Sequence, residues 1–105
     1  MEAEKIESGK AFENVVKSGV TLVDFNAPWC GPCRAQEPII NRLAQRYEGR
    51  AMVVQMNIDN NQDMAAKLGI RSIPTLAVYN NGKEASRFVG LHSEDVLAVA
   101  IEKEL

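Results

Sequence analysis

Cys30 and Cys33 are the chain's two cysteines, and they sit in the stretch "NAPWCGPCRAQEPI" (residues 26–39) beside its single tryptophan, Trp29. Two thiols at this spacing can share a metal ion, close a structural disulfide, or exchange electrons as a dithiol/disulfide couple. Structural zinc takes about four ligands, and beyond the pair the chain offers only His92 and carboxylates. A disulfide that closes so short a loop removes little entropy from the unfolded chain. Electron exchange instead needs one thiolate poised to attack and a second thiol within reach. The neighbouring residues suit that role. A β-branched, aromatic segment (residues 20–27) runs into the pair, and a helical periodicity follows it, which puts Cys30 at a helix start with Gly31, Pro32 and Cys33 in the first turn. Pro32 is tolerated there because its missing N–H would have had no intrahelical partner. The Cys33 N–H is then the natural donor to the Cys30 sulfur, and open helix-terminal amides favour a thiolate over a thiol. Electron exchange is the leading reading, with Cys30 expected to lie nearer solvent than Cys33.

The whole chain narrows the possibilities further. Its 105 residues are enough for one domain with a hydrophobic core, so residues 1–105 are read as a single unit. Twelve Lys and Arg against fourteen Asp and Glu give a formal charge of −2, and the basic residues are scattered, so no stripe follows a phosphate backbone. No nucleic-acid partner is expected. The longest apolar runs are a few residues, against about 18 for a bilayer span, and the start "MEAEKIESGKAF" lacks the basic region and apolar core of a secretory signal. The expectation is a cytoplasmic monomer with no membrane partner, where a lone close-spaced cysteine pair is catalytic or metal-binding more often than structural.

The elements that must position the thiols can be read from periodicity. Phe12, Val15 and Val16 fall on one side of a short helix that Gly19 can end, and a faint first strand precedes it near residues 4–7. Residues 20–27 carry apolar side chains at both parities, with Asp24 the one charged residue among them, the pattern of a strand covered on both faces. After Cys33, Ile39, Leu43 and Tyr47 recur at four-residue intervals beside Ile40 and Ala44, with Pro38 placed to kink the helix. Residues 51–59 read as a second interior strand, and "NQDMAAKLG" as a helix closed by Gly69. Alternating strands and helices in this half predict parallel pairing with crossovers. Asn81-Gly82 then marks a hairpin between residues 75–79 and 84–89. A last helix is capped by Ser93 and turns Val96, Leu97, Ala100, Ile101 and Leu105 to one side. The fold class is α/β, a mixed central sheet with helices on both faces. Asp24 is the anomaly: an acid on an apolar strand just before the thiols is costly to bury as an anion and should have a raised pKa.

In its motifs the chain resembles the thioredoxin family. The matching residues are Asp24, Phe25 and residues 27–33 ("APWCGPC"), Pro38, "NID" at 57–59, "GIRSIPTL" at 69–76, "NGK" at 81–83, and Val89 with Gly90. They cover nearly the whole chain in order. The resemblance implies the thioredoxin fold and a disulfide reductase with no bound metal or organic cofactor. Its implied partners are disulfide-bearing client proteins and an NADPH-dependent, flavin-containing reductase or an equivalent reductant. It also implies Cys30 as nucleophile, Cys33 as resolving thiol, Asp24 as the buried carboxylate and Pro74 as a cis-proline facing the disulfide. Trp29, Gly31, Pro32, Ile73, Gly90 and Leu91 would line the groove that receives the client. Two positions depart from the family's pattern: Asn26 stands where a tryptophan is usual, and Gln55 where a lysine often reaches toward the acid. Two other functions remain open at this point, a redox-linked binding module with little turnover and a net thiol oxidant or isomerase.

Overall fold

In the computed structural model, which describes residues 2–105, the elements run β1 (Glu4–Lys5), α1 (Gly9–Val16), β2 (Val20–Asn26), α2 (Gly31–Arg46), β3 (Met52–Asn57), α3 (Gln62–Leu68), β4 (Thr75–Asn80), β5 (Lys83–Val89) and α4 (Glu94–Glu102). The strands form one sheet in the order β1-β3-β2-β4-β5. The β1 and β2 strands pair parallel with β3, while β2–β4 and β4–β5 are antiparallel. The expected mixed sheet is therefore present, with the parallel part in the first half and the hairpin in the second.

The central strand β2 decides which side chains meet which helices, because successive side chains of a strand point to opposite faces. Val20 and Leu22 join a core with Ile40, Leu43 and Tyr47 of the α2 region and Leu97 and Ile101 of α4. Val23 and Phe25 face the other way, toward Phe12 and Val16 of α1 and Met64 and Ala65 of α3. Helices thus cover both faces, and residues 20–25 are buried throughout. Asp24 shares the parity of Leu22, so its carboxylate belongs to the face that α2 covers. On β3, Gln55 shares the parity of Val53 and sits in register with Asp24.

Several boundaries and faces differ from the expectation. β1 is only two residues long, too short for periodicity to reveal. The first helix ends at Lys17 in right-handed geometry; Gly19, at φ +74°, instead serves the entry to β2. There its N–H donates to Asn81 Oδ1 at 2.8 Å and its carbonyl accepts from Asn81 N at 3.0 Å, tying the hairpin turn to the α1–β2 loop. Gly69 does close α3, at φ +69°. α2 runs continuously through Pro38, whose ring leaves the Arg34 carbonyl without its usual donor. On α4 the buried stripe is Leu97, Ala98, Ala100 and Ile101, whereas Val96 and Leu105 are 42% and 47% exposed. The buried stripe thus gains Ala98 and loses Val96, and Leu105 lies beyond the end of α4. Among the described residues no helix is long and apolar enough to cross a membrane.

Leu43 is fully buried where α2 meets the sheet and α4. Leu43→Ala should therefore cost about 2–5 kcal/mol, read as a lower urea midpoint at unchanged slope. A cost below about 0.5 kcal/mol would place the core elsewhere.

Candidate active site

The β2 strand delivers the chain into α2 through residues 27–30. Cys30 is the N-cap of α2, in extended geometry, and its sulfur accepts the Cys33 N–H at 3.2 Å. The two sulfurs are joined as a disulfide, with Cα atoms 5.2 Å apart. Both residues are almost equally buried, at 5% and 4% exposure, so solvent access at the residue level does not separate them as expected. Their partners do. Cys30 Sγ faces the Ile73 carbonyl at 3.7 Å and receives the helix-terminal amide, while Cys33 lies one turn inward, bordering a polar crevice. The Cys30 sulfur occupies the place of a helix-capping oxygen, where negative charge is most favoured.

Three of the residues expected to line a docking groove, Ile73, Pro74 and Gly90, lie on a chain of contacts that starts at Cys30. The Ile73-Pro74 bond is cis, and the Pro74 carbonyl accepts the N–H of Gly90, which holds φ +92°. Cys30, Ile73, Pro74 and Gly90 are thus linked in one chain of contacts. Gly31 and Pro32 are exposed in the first turn of α2, Leu91 is 52% exposed and Trp29 is 67% exposed. The indole N–H of Trp29 donates to Asp59 Oδ2 at 2.9 Å, which fixes the ring outside the core. Asp59 was visible in the sequence only as part of "NID"; nothing local marked it as the partner of a tryptophan 30 residues away. Arg34 donates to the Pro28 carbonyl at 3.0 Å and so braces the loop before the thiols.

Asp24 is fully buried, and burial above all pushes its carboxyl up from 3.8 to about 7, with the Asn26 hydrogen bond opposing and the Glu37 charge adding to the rise. Among the described residues its Oδ1 has no hydrogen-bond partner, while Oδ2 accepts from Asn26 Nδ2 at 3.3 Å. The same Asn26 amide nitrogen donates to Gln55 Oε1 at 3.2 Å, and Gln55 Nε2 donates to the Ala3 carbonyl at 3.0 Å. The two departures from the family's pattern are therefore one unit: Asn26 touches the acid, and Gln55 holds Asn26. Neither brings a cation to Asp24. Asn26 and Gln55 also line a crevice of about 320 Å³ together with Cys33, Glu37, Lys5 and Arg34, room enough for water beside the inner thiol. Among the described residues no cluster of His, Cys, Asp and Glu side chains is arranged to hold a metal ion.

Comparison with known proteins agrees with this geometry. The family model described as Thioredoxin matches residues 4–103. A thioredoxin of Staphylococcus saprophyticus is 43% identical over 94 residues, covering 90% of each chain. Thioredoxin 1 of a Nostoc species is 45% identical over 94 residues, covering 89% of this chain and 88% of its own. Among solved structures, a mutant thioredoxin from Halobacterium salinarum superposes with a TM-score of 0.91 at 35% identity, over 98% of this chain and 90% of that one. The sheet order and helix placement are those of the thioredoxin fold.

A folded-state pKa of about 7 against 3.8 means that the folded protein holds this proton more tightly than the unfolded chain does. The associated stability is fully present below pH 3.8 and is lost as the pH rises through about 7, on the order of 4 kcal/mol in all. Asp24→Asn cannot ionise. It should be more stable than the parent at pH 8 and close to it at pH 4, measured by urea unfolding across that range. A gap between parent and variant that stays constant over those pH values would contradict the buried-acid assignment.

Proposed function

This chain belongs to the thioredoxin family and is a thiol–disulfide oxidoreductase, and from that premise we propose that it reduces protein disulfides, with Cys30 as nucleophile, Cys33 as resolving thiol and Asp24 as the base that serves Cys33. The observation that carries the reading is the capping contact, in which the Cys33 N–H points at the Cys30 sulfur from the start of α2. That contact supports Cys30 as the sulfur that bears charge when the pair is reduced. The client segment lies against Ile73, Pro74, Gly90 and Leu91, with Trp29, Gly31 and Pro32 on the opposite rim. Main-chain groups beside Cys30 suit an extended peptide, because its backbone can pair while its side chains meet an apolar border.

The chemistry proceeds in two displacements. Cys30 thiolate attacks one sulfur of the client disulfide; a Cys30–client bond forms, the client S–S bond breaks, and the first client thiolate leaves and takes a proton from solvent. Cys33 then gives its proton to Asp24 and attacks Cys30 Sγ. The mixed disulfide breaks, the second client thiolate leaves, and the Cys30–Cys33 bond closes. The client has gained two electrons and the dithiol has lost two. A carboxyl whose pKa lies near 7 suits the second step, because it can both take and return a proton at neutral pH. The crevice beside Cys33 and Asn26, wide enough for water, supports a path for that proton to solvent. Two electrons must then be restored by an external reductant, for which an NADPH-dependent, flavin-containing reductase is the proposed source. The whole cycle uses one domain, residues 1–105, in a cytoplasmic setting, acting as a monomer and requiring no bound cofactor.

Cys33→Ser should accumulate a covalent client adduct through Cys30, because the resolving thiol is gone, whereas Cys30→Ser should not. Peptide mapping that found clients mainly on Cys33 in a protein carrying both thiols would reverse the two roles. The direction of flow is checked separately, by equilibrating the pair with glutathione buffers. A midpoint below that of the glutathione couple is expected for a reductant, and one far above it would make the protein an oxidant or isomerase.

A further inference from the structure

Gln36 is a polar side chain with no exposed surface, set in the apolar stripe of α2 between Cys33 and Ile40. A buried primary amide is costly unless both of its ends are hydrogen-bonded. Here both are, and to one residue. Gln36 Nε2 donates to the His92 carbonyl at 3.0 Å, and the His92 N–H donates to Gln36 Oε1 at 2.8 Å. The side chain imitates a strand partner for a single residue of the loop between β5 and α4. The rest of that loop is fixed at its other end by the Gly90 N–H on the Pro74 carbonyl, and within itself by the His92 ring, whose Nδ1 lies 2.8 Å from the Gly90 carbonyl. A carbonyl only accepts, so that nitrogen carries the proton. Leu91 projects between the two anchored ends and is 52% exposed.

We propose that Gln36 is a positioning residue for client docking: its paired hydrogen bonds to His92 lock the Gly90–Leu91 border of the groove to the helix that carries both thiols. The placement of Gln36 makes the coupling direct. It lies three residues after Cys33, on the same side of α2, so the loop is held to the helix one turn below the inner sulfur. Without the clamp, Leu91 and Gly90 would still be tied to Pro74, but their distance from Cys30 would no longer be fixed from the helix side. The cost would fall on clients large enough to use that border. A small disulfide that meets only Cys30 would not detect the change. The nearby ion pairs between Arg42 or Arg46 and Glu94 also join α2 to the start of α4, yet they are solvent-exposed and hold the helix rather than the loop.

The proposal rests on the docking role of Gly90 and Leu91, and the experiment separates the two. Insulin serves as the protein disulfide and 5,5′-dithiobis(2-nitrobenzoate) as the small one, with the pair recharged by dithiothreitol. Gln36→Leu keeps the volume and removes both bonds; its KM for insulin should rise about fivefold or more, while kcat, the rate with the small disulfide and the dithiol midpoint stay within about twofold of the parent. Leu91→Ala should raise the same KM. A raised KM in Leu91→Ala with an unchanged one in Gln36→Leu overturns the clamp and leaves the docking groove intact. No change in either variant overturns both. Equal losses with both substrates would make Gln36 a general structural residue and likewise overturn the proposal. Hydrogen exchange on the unmodified protein provides a check that no variant can spoil. The His92 amide should exchange on the order of 100-fold more slowly than in an unstructured chain, and an unprotected His92 amide would refute the clamp.

Discussion

The contact between the Cys33 amide and the Cys30 sulfur is the constraint around which the rest of the molecule is arranged. A helix start leaves its first N–H groups without intrahelical partners, and here a sulfur meets that need. For the cap to form, β2 must stop at Asn26 and release the chain through a short turn, and α2 must be held firmly enough that its first turn does not fray. The first requirement is met by pairing β2 on both edges, with β3 and β4, and burying it on both faces. The second is met by Ile40, Leu43 and Tyr47, which are fully buried against the sheet and α4. The apolar core therefore acts on function through one small polar contact, by keeping a helix terminus where a sulfur can use it.

Beneath that contact lies a conflict between burial and charge. An acid on the α2 face of β2 is forced by strand alternation to enter the protein interior, and among the described residues no cation accompanies it. Among the described residues its hydrogen-bond partner is the Asn26 amide, which is itself shared with Gln55. An amide lends a carboxylate partial rather than full positive charge, so it offsets only part of the desolvation penalty. The outcome is an acid that is neutral or charged with little bias at neutral pH, a different balance from the one a lysine at position 55 would set. Two amides stand where the family's pattern has an apolar ring and a cation, and the one at position 26 hydrogen-bonds the acid.

Much of this was legible in the sequence, for reasons that differ by element. The interior strands, the Asn81-Gly82 hairpin and the Gly69 stop are local signals, and they appear where chemistry places them; Asn81 and Gly82 both take positive φ, as a tight hairpin turn demands. Asp24 stood out because an acid breaks an apolar run. β1 was nearly invisible because two residues carry no periodicity, and the buried face of α4 was misplaced at Val96 and Ala98 because a single helix does not show which of its flanks its neighbours cover. The partnership of Asn26 with Gln55 depends on a parallel register 29 residues apart, which neither residue encodes alone. Gln36 was the one signal present but unread: a polar residue at an interior position of a helical stripe requires a partner, and its partner lay 56 residues away.

The distance along the chain between Cys30 and Ile73 also bears on how the protein is made. The two meet across 43 residues, and the antiparallel register that joins them pairs Asp24 with Leu76 and Phe25 with Thr75. A ribosome releases the cysteines well before β4, so for part of its synthesis the chain carries both thiols without the segment that faces them. Contacts of such sequence separation form late, since the intervening chain must first be closed into a loop. Until then the pair lacks the surface against which an extended substrate would lie, and its reactivity is that of an unguided dithiol. With the proposed client segment seated beside Ile73, selective thiol exchange would become available only as the sheet that carries Ile73 is completed.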